Sequence, residues 1–334
     1  MTINIPDLEP NLNPAPIQAN DDVTSNWDEQ SVASSTQSLT GSIMEHVYEN
    51  GRRYHLKSKE QYLLPSDETE QDRLDMVHHL HLELLRGNLT LTKFDEDPAT
   101  VLDCGCGTGI WALEFGDTYK GSQVIGIDLA PIQPGWTAPN VKFELDDLEK
   151  KWTYAKNHFN FIHSRHLTMS IRNWPQYLLQ IYKHSAPGGR IEIVEHCNDR
   201  YFCDDNTMPD DSPIPAYFRA VQPCYEKLGI NSRLHGADYK KMVEEAGFVD
   251  VNLYSFKVPA GPWARDPKMR RLGAICAELI STGAEAYAFK MLTDVGGMTE
   301  DEARKVVEDV AASFLNRHQH AYYMEYFVTA RKPE

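Results

Sequence analysis

Three glycines at alternate positions, within VLDCGCGTG at residues 101–109, constrain the fold more than any other feature of the chain. An apolar pair and Asp103 precede them, and the apolar run IWALEF follows. Glycine lets a backbone turn tightly and approach a ligand closely. A strand, a glycine-rich turn and a helix in this order begin many doubly wound α/β sheets, where ligands bind at the carboxyl ends of the strands.

Strand-like and helix-like stretches alternate after this motif. The seven predicted strands are TVLDC, SQVIGID, NVKFEL, HFNFIHSR, RIEIVE, VDVNLYSFKV and AYYMEYFVTARK. Pro187-Gly188-Gly189 is predicted to end the helix WPQYLLQIYKHSA before the fifth strand. Strands separated by helices indicate a sheet covered on both faces. We therefore expect an α/β fold with a Rossmann-like, doubly wound, mostly parallel seven-stranded sheet.

The regions around the predicted sheet differ in composition. Residues 1–42 are rich in Pro, Asn, Ser, Thr and Gln, and we predict a mostly disordered tail because such a segment buries little apolar surface. Residues 43–98 are predicted to form an N-terminal helical cover, and Asp67 with Glu70 three residues later is typical of a helix start. Residues 99–334 are assigned to the sheet domain.

Two insertions interrupt the alternation within the sheet domain. They lie at about residues 197–235 and 259–320, and the second reads as helical. Insertions on this face commonly build a lid over the site. They offer the bulky side chains Tyr217, Phe218, Tyr225, Trp263, Phe289 and Met291. We expect Trp263 to wall an acceptor pocket, and the alternative is that the insertions form a subunit interface.

Charge and composition exclude several classes of protein. The net charge is −16, and residues 1–51 hold eight acidic residues and no Lys or Arg, so nucleic-acid binding is disfavoured. No apolar run approaches the roughly 20 residues of a membrane span, and the N-terminus lacks the pattern of a signal peptide. Six cysteines without a CxxC pair indicate reduced thiols. We expect a cytoplasmic or nuclear protein that binds neither membrane nor nucleic acid.

The residues of the glycine turn discriminate between three ligands. A phosphate-binding P-loop requires a GxxxxGK[ST] pattern, and this turn has no lysine. A dinucleotide fingerprint fits Gly105 and Gly107 but has Ile110 at its third glycine position, and Asp103 would repel a diphosphate. An acid followed by GxGxG suits a ligand with a cationic end and no phosphate. S-adenosylmethionine (SAM) is such a ligand.

Acidic residues at three strand ends fit the parts of SAM. Asp103 is expected to help hold the ammonium end through water or a backbone network. Asp128 lies 23 residues after the first glycine, where an acid accepts both ribose hydroxyls. Asp146 or Asp147 can accept from the adenine amine while Leu148 packs on the ring. The predicted cofactor-binding residues are thus Asp103, Gly105, Cys106, Gly107, Gly109, Asp128, Leu129, Asp146, Asp147 and Leu148.

Seven stretches carry a family resemblance over roughly residues 48–200, and the C-terminus matches more loosely. They are ENGRRYH, LPSDETEQDRLDMVHH, VLDCGCGTGIWALEF, VIGIDLAPIQP, NVKFELDDLEKKWTY, FNFIHSRHL and PGGRIEIVE. Through them the chain resembles the fungal LaeA-like, SAM-dependent class I methyltransferases. That family usually has Ile and Thr where this chain has Cys104 and Cys106, and both cysteines are small enough for the turn.

The resemblance implies two structural features. The stretch PIQPGWTAP would join the second and third strands as a loop in place of a helix. The N-terminal motif would fold over the cofactor, with Tyr54, Tyr62 and Arg73 as candidates for this cover. The alternative is that these three side chains pack the N-terminal helix onto the sheet.

The end of the fourth strand offers the chemistry for methyl transfer. Ser164, Arg165 and His166 stand there, beside the expected methyl group. His166 is the candidate general base because the reference pKa of histidine is near 6.5, although it could be structural, since some acceptors need little base. Arg165 could orient an anionic acceptor or form an internal ion pair with Glu195 or Asp146.

No metal site is expected from the sequence. The histidines of the N-terminal helix, His78, His79 and His81, have no acidic or cysteine ligand set at metal spacing in the sequence. They are interpreted as polar-face or hydrogen-bonded side chains.

The predicted function is SAM-dependent methylation of a small molecule of secondary metabolism, at oxygen or nitrogen. The alternative is a LaeA-like regulatory protein with a methyltransferase fold, acting in a complex or on protein or histone substrates. A net charge of −16 would favour a basic peptide as the substrate of such a protein. A homodimer, or a heterodimer with a related methyltransferase, is compatible with the long insertions.

Overall fold

The computed structural model describes residues 10–11, 14–19, 46–49, 52–55 and 65–334. Its strands are β1 (His46–Glu49), β2 (Arg52–His55), β3 (Thr100–Cys104), β4 (Gln123–Asp128), β5 (Val141–Leu145), β6 (Phe159–Arg165), β7 (Ser185–His196), β8 (Val249–Pro259) and β9 (Tyr322–Arg331). Its helices are α1 (Glu68–Leu84), α2 (Ile110–Thr118), α3 (Trp174–His184), α4 (Pro213–Lys227), α5 (Gly236–Glu245), α6 (Pro267–Lys290) and α7 (Glu300–Leu315), with a π-helical turn at Met291–Val295.

Seven strands form the central sheet in the order β5-β4-β3-β6-β7-β9-β8. The strands β3 to β7 pair in parallel, while β9 runs antiparallel to both of its neighbours. The predicted mostly parallel, seven-stranded doubly wound sheet is confirmed. The chain leaves β3 towards β4 and later returns to its other side as β6, so a topological switch point lies at the carboxyl end of β3.

The helix α1 begins where the sequence predicts. Asp67 is the N-cap and its carboxylate accepts a hydrogen bond from the backbone N–H of Glu70 at 3.0 Å. The carboxylate of Glu70 bonds the guanidinium of Arg73 at 2.7 and 2.9 Å, and both side chains are buried. The buried face of α1 therefore contains charged and histidine side chains as well as Leu80.

The prediction that Pro187-Gly188-Gly189 ends α3 is wrong. The helix ends at His184, because Ser185 adopts an extended backbone and its hydroxyl donates to the carbonyl of Ile181 at 2.8 Å. The strand β7 starts at Ser185, and the Pro-Gly-Gly stretch lies inside it. Gly188 donates its N–H to the carbonyl of Lys332 at 3.0 Å, which fastens this stretch to the end of the chain.

The insertions share one hydrophobic core with the sheet. The stretch 197–235 contains α4, and the stretch 259–320 contains α6, the π-helical turn and α7. Buried side chains from α4, α6 and α7 belong to the same apolar cluster as those of β3, β6 and β7. The loop between β4 and β5 contains no helix, as the family resemblance implies.

A short piece of the predicted tail lies on the folded body. Ala19 forms a β-bridge with Ala264, and the carbonyl of Gln18 accepts from the N–H of Arg265 at 2.5 Å. Ile17 and Ala19 pack against the apolar core. This segment departs from the predicted disorder, whereas most of the predicted tail lies outside the described residues. Within the described part of the chain, every helix is too short or too polar to cross a membrane.

Candidate active site

A pocket opens at the carboxyl ends of β3, β4, β5, β6 and β7, beneath α1 and α6. Parallel strands bring their carboxyl ends to one edge of a sheet, so residues far apart in sequence meet there. The predicted site residues that line this pocket are Arg73, Gly105, Cys106, Gly107, Asp128, Leu129, Asp146, Asp147, Leu148, Arg165 and His166.

The glycine turn is tied to the end of the neighbouring strand. The N–H groups of Gly105 and Cys106 both donate to the carbonyl of Ile127, at 2.8 and 3.0 Å. Gly105 has a φ of +67°, and a Cβ at this position would run into the methyl groups of Leu167. A side chain at residue 105 would therefore be strained and would crowd the floor of the pocket.

Asp128 holds the glycine turn and the following loop with a single carboxylate. Its Oδ2 accepts from the N–H of Gly107 at 2.8 Å, and its Oδ1 accepts from the N–H of Ala130 at 3.0 Å. Burial raises the pKa of Asp128 to about 6, although both hydrogen bonds oppose the shift. A carboxylate at the end of the second strand of the sheet is suited to accept ribose hydroxyls.

Asp103 lies behind the pocket and does not line it. Its Oδ1 accepts from Nδ1 of His163 at 2.8 Å, and the ring of His163 stacks on that of Trp111 with centroids 3.8 Å apart. The other oxygen, Oδ2, is buried and has no hydrogen-bond partner among the described residues. A buried acceptor without a partner suits the predicted network towards an ammonium group.

The acidic turn after β5 supplies the far end of the pocket. The carboxylate of Asp146 accepts from the N–H of Asp147 at 2.8 Å, and that of Asp147 accepts from the N–H of Glu149 at 2.9 Å. Leu148 lines the pocket beside them. Asp128, Asp146, Asp147 and Glu149 all line this part of the pocket. Their carboxylates disfavour a diphosphate and favour a cationic ligand. These carboxylate acceptors fit the ribose, amine and sulfonium groups of SAM.

Arg165 forms neither of the ion pairs that the sequence suggested. Among the described residues, its hydrogen-bond partner is Nδ1 of His78, which lies 3.4 and 3.3 Å from the two guanidinium NH2 nitrogens. Burial lowers the pKa of Arg165. A guanidinium that lines the pocket opposite a single imidazole retains donors for an anion, such as the carboxylate of SAM or of an acceptor.

His166 lies at the end of β6 and lines the pocket with about a fifth of its side chain exposed. Its Nε2 lies 2.9 Å from Oε1 of Glu325 on β9. Burial lowers the pKa of His166, although the neighbouring Glu325 raises it. A neutral imidazole at this place can accept a proton.

Other predicted site residues lie away from the pocket. Tyr54 is buried on β2, and the ammonium of Lys290 on α6 lies 4.3 Å from its ring centroid, so Tyr54 packs against α6. Ser164 is buried and its hydroxyl accepts from that of Tyr177 at 3.0 Å. Gly109, with φ of +82°, starts α2 and packs against Phe143. Tyr62 lies outside the described residues.

The predicted role of Trp263 in the acceptor pocket is wrong. Trp263 is 3% exposed, and its indole N–H donates to the carbonyl of Ala321 at 3.0 Å. It fastens the start of the second insertion to the start of β9. The other bulky residues proposed from the insertions also lie away from the pocket, which Tyr287 of α6 lines instead.

Sequence reasoning missed several residues of the pocket. Glu195 and His196 end β7, and this position at a strand end was a signal that could have identified them. Tyr287 stands in the middle of a long helix and carries no such signal. The further residues missed are Leu74, Val77, Thr108, Ile110, Glu149, Leu167, Thr168, Met169, Ser170, Ile171 and Asn198.

A cluster of two histidines and a glutamate lies at the inner wall of the pocket. Among the described residues, potential ligand atoms of His81, His166 and Glu325 lie within 4.8 Å of one another. The expectation of no metal considered only spacing along the chain, and these residues come together from α1, the end of β6 and β9.

A family model described as a methyltransferase domain matches residues 76–253. The methyltransferase pytC of Aspergillus terreus is 36% identical over 301 residues, which cover 90% of this chain and 92% of the relative. The family-model match contains the glycine turn and the strands β3 to β7.

Two other relatives carry regulatory or protein-modifying names. The secondary metabolism regulator LAE1 of Cochliobolus heterostrophus is 34% identical, with 86% of this chain and 94% of the relative covered. The protein-methionine methyltransferase laeA of Emericella nidulans is 29% identical, with 85% of this chain and 76% of the relative covered.

Proposed function

The chain belongs to the methyltransferase-domain family and, within it, to the LaeA-like SAM-dependent methyltransferases, and we propose that it methylates a small molecule of secondary metabolism at oxygen or nitrogen. SAM would supply a methyl group that is bonded to a positively charged sulfur. The acceptor attacks the methyl carbon in line with the sulfur, which is the leaving group. The protein aligns the acceptor with that methyl group and excludes water.

The pocket residues divide into groups by the part of SAM that they would hold. Asp128 would accept from the ribose, and Asp147 with Leu148 would hold the adenine. Arg165 would bind the carboxylate group, and Asp103, behind the pocket, would help to hold the amino group through a network of water or backbone groups. This assignment follows the order of the residues along the sheet edge, from the acidic turn after β5 to the end of β6.

The helices that cover the pocket are the main observation in favour of a small acceptor. Arg73 of α1 and Tyr287 of α6 both line the pocket, and the guanidinium carbon lies 4.8 Å from the ring centroid. This cation–π pair joins the two helices above the sheet edge. A pocket beneath packed helices suits a compact acceptor better than a long peptide. The similarity to the methyltransferase pytC supports the methyltransferase activity itself.

The alternative is a regulatory methyltransferase that acts in a complex or on protein substrates. The names of two relatives favour it, because one is a secondary metabolism regulator and another a protein-methionine methyltransferase. The net charge of −16 would also attract a basic partner. Imaging of a fluorescent fusion would separate a nuclear regulator from a cytoplasmic enzyme of small-molecule metabolism.

Methyl transfer to fractionated extract tests the proposal. Purified protein is incubated with SAM labelled in its methyl group and with a fungal extract divided into small-molecule and protein fractions. We expect label in the small-molecule fraction, in a product that mass spectrometry shows to be a methyl ether, ester or amine. Asp128→Asn provides the control for transfer by contaminating enzymes. Label confined to the protein fraction would contradict the proposal and support the alternative.

The insertions bear on the oligomeric state. They add α4, α6 and α7 beyond the helices between consecutive strands, and helical insertions are common dimerisation surfaces. We propose a homodimer, or a heterodimer with a related methyltransferase. Light scattering of the protein alone and mixed with such a relative measures both, and a mass of 38.1 kDa under all conditions would contradict them.

A further inference from the structure

The backbone of His166 is held in an unusual conformation by several independent contacts. Its φ is +57°, in the left-handed region that residues other than glycine rarely occupy. The N–H of His166 donates to the carbonyl of Val194 at 2.9 Å. The next two N–H groups, of Leu167 and Thr168, donate to the two oxygens of Glu195 at 2.6 and 3.1 Å. Strain maintained in this way is typical of active sites.

The imidazole of His166 has a buried carboxylate behind it. Glu325 is fully buried, and its Oε1 lies 2.9 Å from Nε2 of His166 and 3.3 Å from Nε2 of His81. Its other oxygen, Oε2, is buried without a hydrogen-bond partner among the described residues. One carboxylate oxygen therefore joins two imidazoles, of which only that of His166 lines the pocket.

Hydrogen-bond chemistry assigns the protons of this cluster. Nδ1 of His81 lies 2.8 Å from the carbonyl of Val77, and a carbonyl only accepts, so Nδ1 carries a proton. Since Nε2 of His81 also faces a carboxylate oxygen, a proton must lie between His81 and Glu325. Nε2 of His166 likewise donates to Oε1. In the neutral imidazole this leaves Nδ1 of His166 as an unprotonated acceptor.

The groups around the cluster fit this assignment. Burial lowers the pKa of His166 and that of His81, although the neighbouring Glu325 opposes both shifts, and a lowered pKa fits a neutral His166. Arg165 contributes a positive charge nearby. On the other side, the ring of His196 meets that of His166 edge-on, with centroids 4.4 Å apart, and Glu195 holds the backbone. The orientation of the His166 ring is thus fixed from several elements.

We propose that Glu325 and His81 position His166 as the general base, and that the acceptor is consequently a hydroxyl group that enters the site with its proton. The proposal rests on the proposed function and names its acceptor class. As the acceptor oxygen bonds to the methyl carbon, the carbon–sulfur bond breaks, its electron pair stays on sulfur, and the hydroxyl proton moves to Nδ1 of His166. Glu325 stabilises the resulting imidazolium.

The acceptor class follows from the role of a general base, which is to remove a proton from the acceptor. A thioether has no proton to lose, so methylation of a methionine side chain would use no base. A hydroxyl group is a poor nucleophile until its proton is removed. A strained histidine backed by a buried carboxylate therefore favours an acceptor that carries a proton, such as a hydroxyl group, over a thioether.

Nuclear magnetic resonance of histidine-labelled protein tests the proton assignment directly. The full chain is saturated with S-adenosylhomocysteine, and the His166 signals are identified by their loss in His166→Gln. We expect Nε2 of His166 to carry the proton and Nδ1 to be unprotonated at neutral pH. The opposite tautomer would overturn the proposal. The tautomer is read in the wild-type protein, and His166→Gln serves only to assign the signals.

A matched pair of buried glutamates separates positioning from general stability. Glu325→Gln should mix the His166 tautomers and lower kcat at least tenfold, while leaving KM for SAM within about twofold. Glu192→Gln is the control, because Glu192 is equally buried in the adjacent strand but bonds Thr90 and Thr92 outside the pocket. It should leave the His166 tautomer unchanged. Identical spectra for Glu325→Gln and the wild type would contradict the proposal.

Further outcomes keep this proposal distinct from the proposed function. A methylated small molecule together with the opposite His166 tautomer would overturn the base and retain the proposed function. The expected His166 tautomer, together with label only in the protein fraction, would overturn the proposed function and retain the general base. Stoichiometric binding of Zn²⁺ or Mn²⁺ that His81→Gln abolishes would overturn the proton assignment, since a metal needs Nε2 of both histidines unprotonated.

Discussion

At the scale of single residues, Asp128 has both a structural and a binding role. Its two oxygens connect the glycine turn to the loop after β4, and both hydrogen bonds come from backbone N–H groups. The same carboxylate lines the pocket. A substitution at this residue therefore alters the shape of the turn as well as the contacts to the ligand.

Asp128→Asn should weaken SAM binding by about 1–3 kcal/mol, or about 5- to 150-fold, since an amide retains only one acceptor oxygen. Isothermal titration calorimetry with SAM measures the change. Asp117→Asn is the control, because Asp117 is exposed on α2 and pairs with Lys120. Equal affinities of the wild type and Asp128→Asn would contradict the ribose assignment.

Glu195 makes the stability of the protein depend on pH. Burial raises its pKa from 4.5 to about 8, despite its hydrogen bonds to Thr168 and Leu167. The folded protein then retains a proton that the unfolded chain releases. The stabilisation is complete below about pH 4.5 and is lost as the pH rises through about 8.

Urea unfolding between about pH 5 and about pH 8.5 measures this dependence. The free energy of unfolding should fall across the range in the wild type and change less in Glu195→Gln, which cannot ionise. Glu192, with a pKa raised by burial to about 7, contributes a smaller fall in the same direction that remains in the variant. A wild-type profile that rises with pH would contradict the assignment.

The sequence predicted the site residues at the ends of the parallel strands. It did not predict contacts between residues that are distant in sequence and meet only in the folded protein. Asp128 follows from its spacing to the glycine turn, because both belong to adjacent parallel strands. Glu325 is 159 positions from His166 and lies on the antiparallel strand, so no local pattern joins them. The partner of Arg165 was missed for the same reason, since His78 comes from a helix packed over the sheet.

At the scale of elements, the segment that leads from β8 into the second insertion is held in place by Trp263. Trp263 stands between β8 and α6, and its ring packs at 5.0 Å from that of His320 just before β9. Its sequence context, VPAGPWARDP, favours a rigid entry but does not tell which way the ring points. The alternation of apolar residues located the strands and the helices, whereas the direction of a loop side chain depends on contacts across the fold.

Trp263→Ala should destabilise the protein by about 3–5 kcal/mol, because it leaves a large cavity in a buried site and removes the bond to Ala321. Thermal and urea unfolding measure the loss. Trp136→Ala is the control, because Trp136 is 80% exposed on the loop between β4 and β5. An unchanged stability combined with a raised KM for the acceptor would restore Trp263 to the pocket wall.

At the scale of the whole molecule, the described part of the N-terminal segment joins the body outside the cofactor pocket. Residues 14–19 lie beside Ala264 and Arg265, which precede α6, and Ile17 faces Leu84 and Leu272 across a cleft. None of these described tail residues lines the cofactor pocket. The composition of residues 1–42 predicts disorder because it averages over the segment, and it cannot detect one short apolar contact such as that of Ile17.

Deletion of residues 1–42 should therefore lower stability and spare cofactor binding. The lost packing of Ile17 and the lost bridge at Ala19 predict a fall of about 1–2 kcal/mol in the free energy of unfolding, and Ile17→Ala in the full chain should reproduce most of it. Leu315→Ala is the control, because Leu315 is an aliphatic residue that is 64% exposed at the end of α7. Urea unfolding and SAM calorimetry on the three proteins separate the effects. Loss of SAM affinity on deletion would show that the tail reaches the pocket, whereas unchanged stability would show that the contact at Ile17 contributes nothing to the fold.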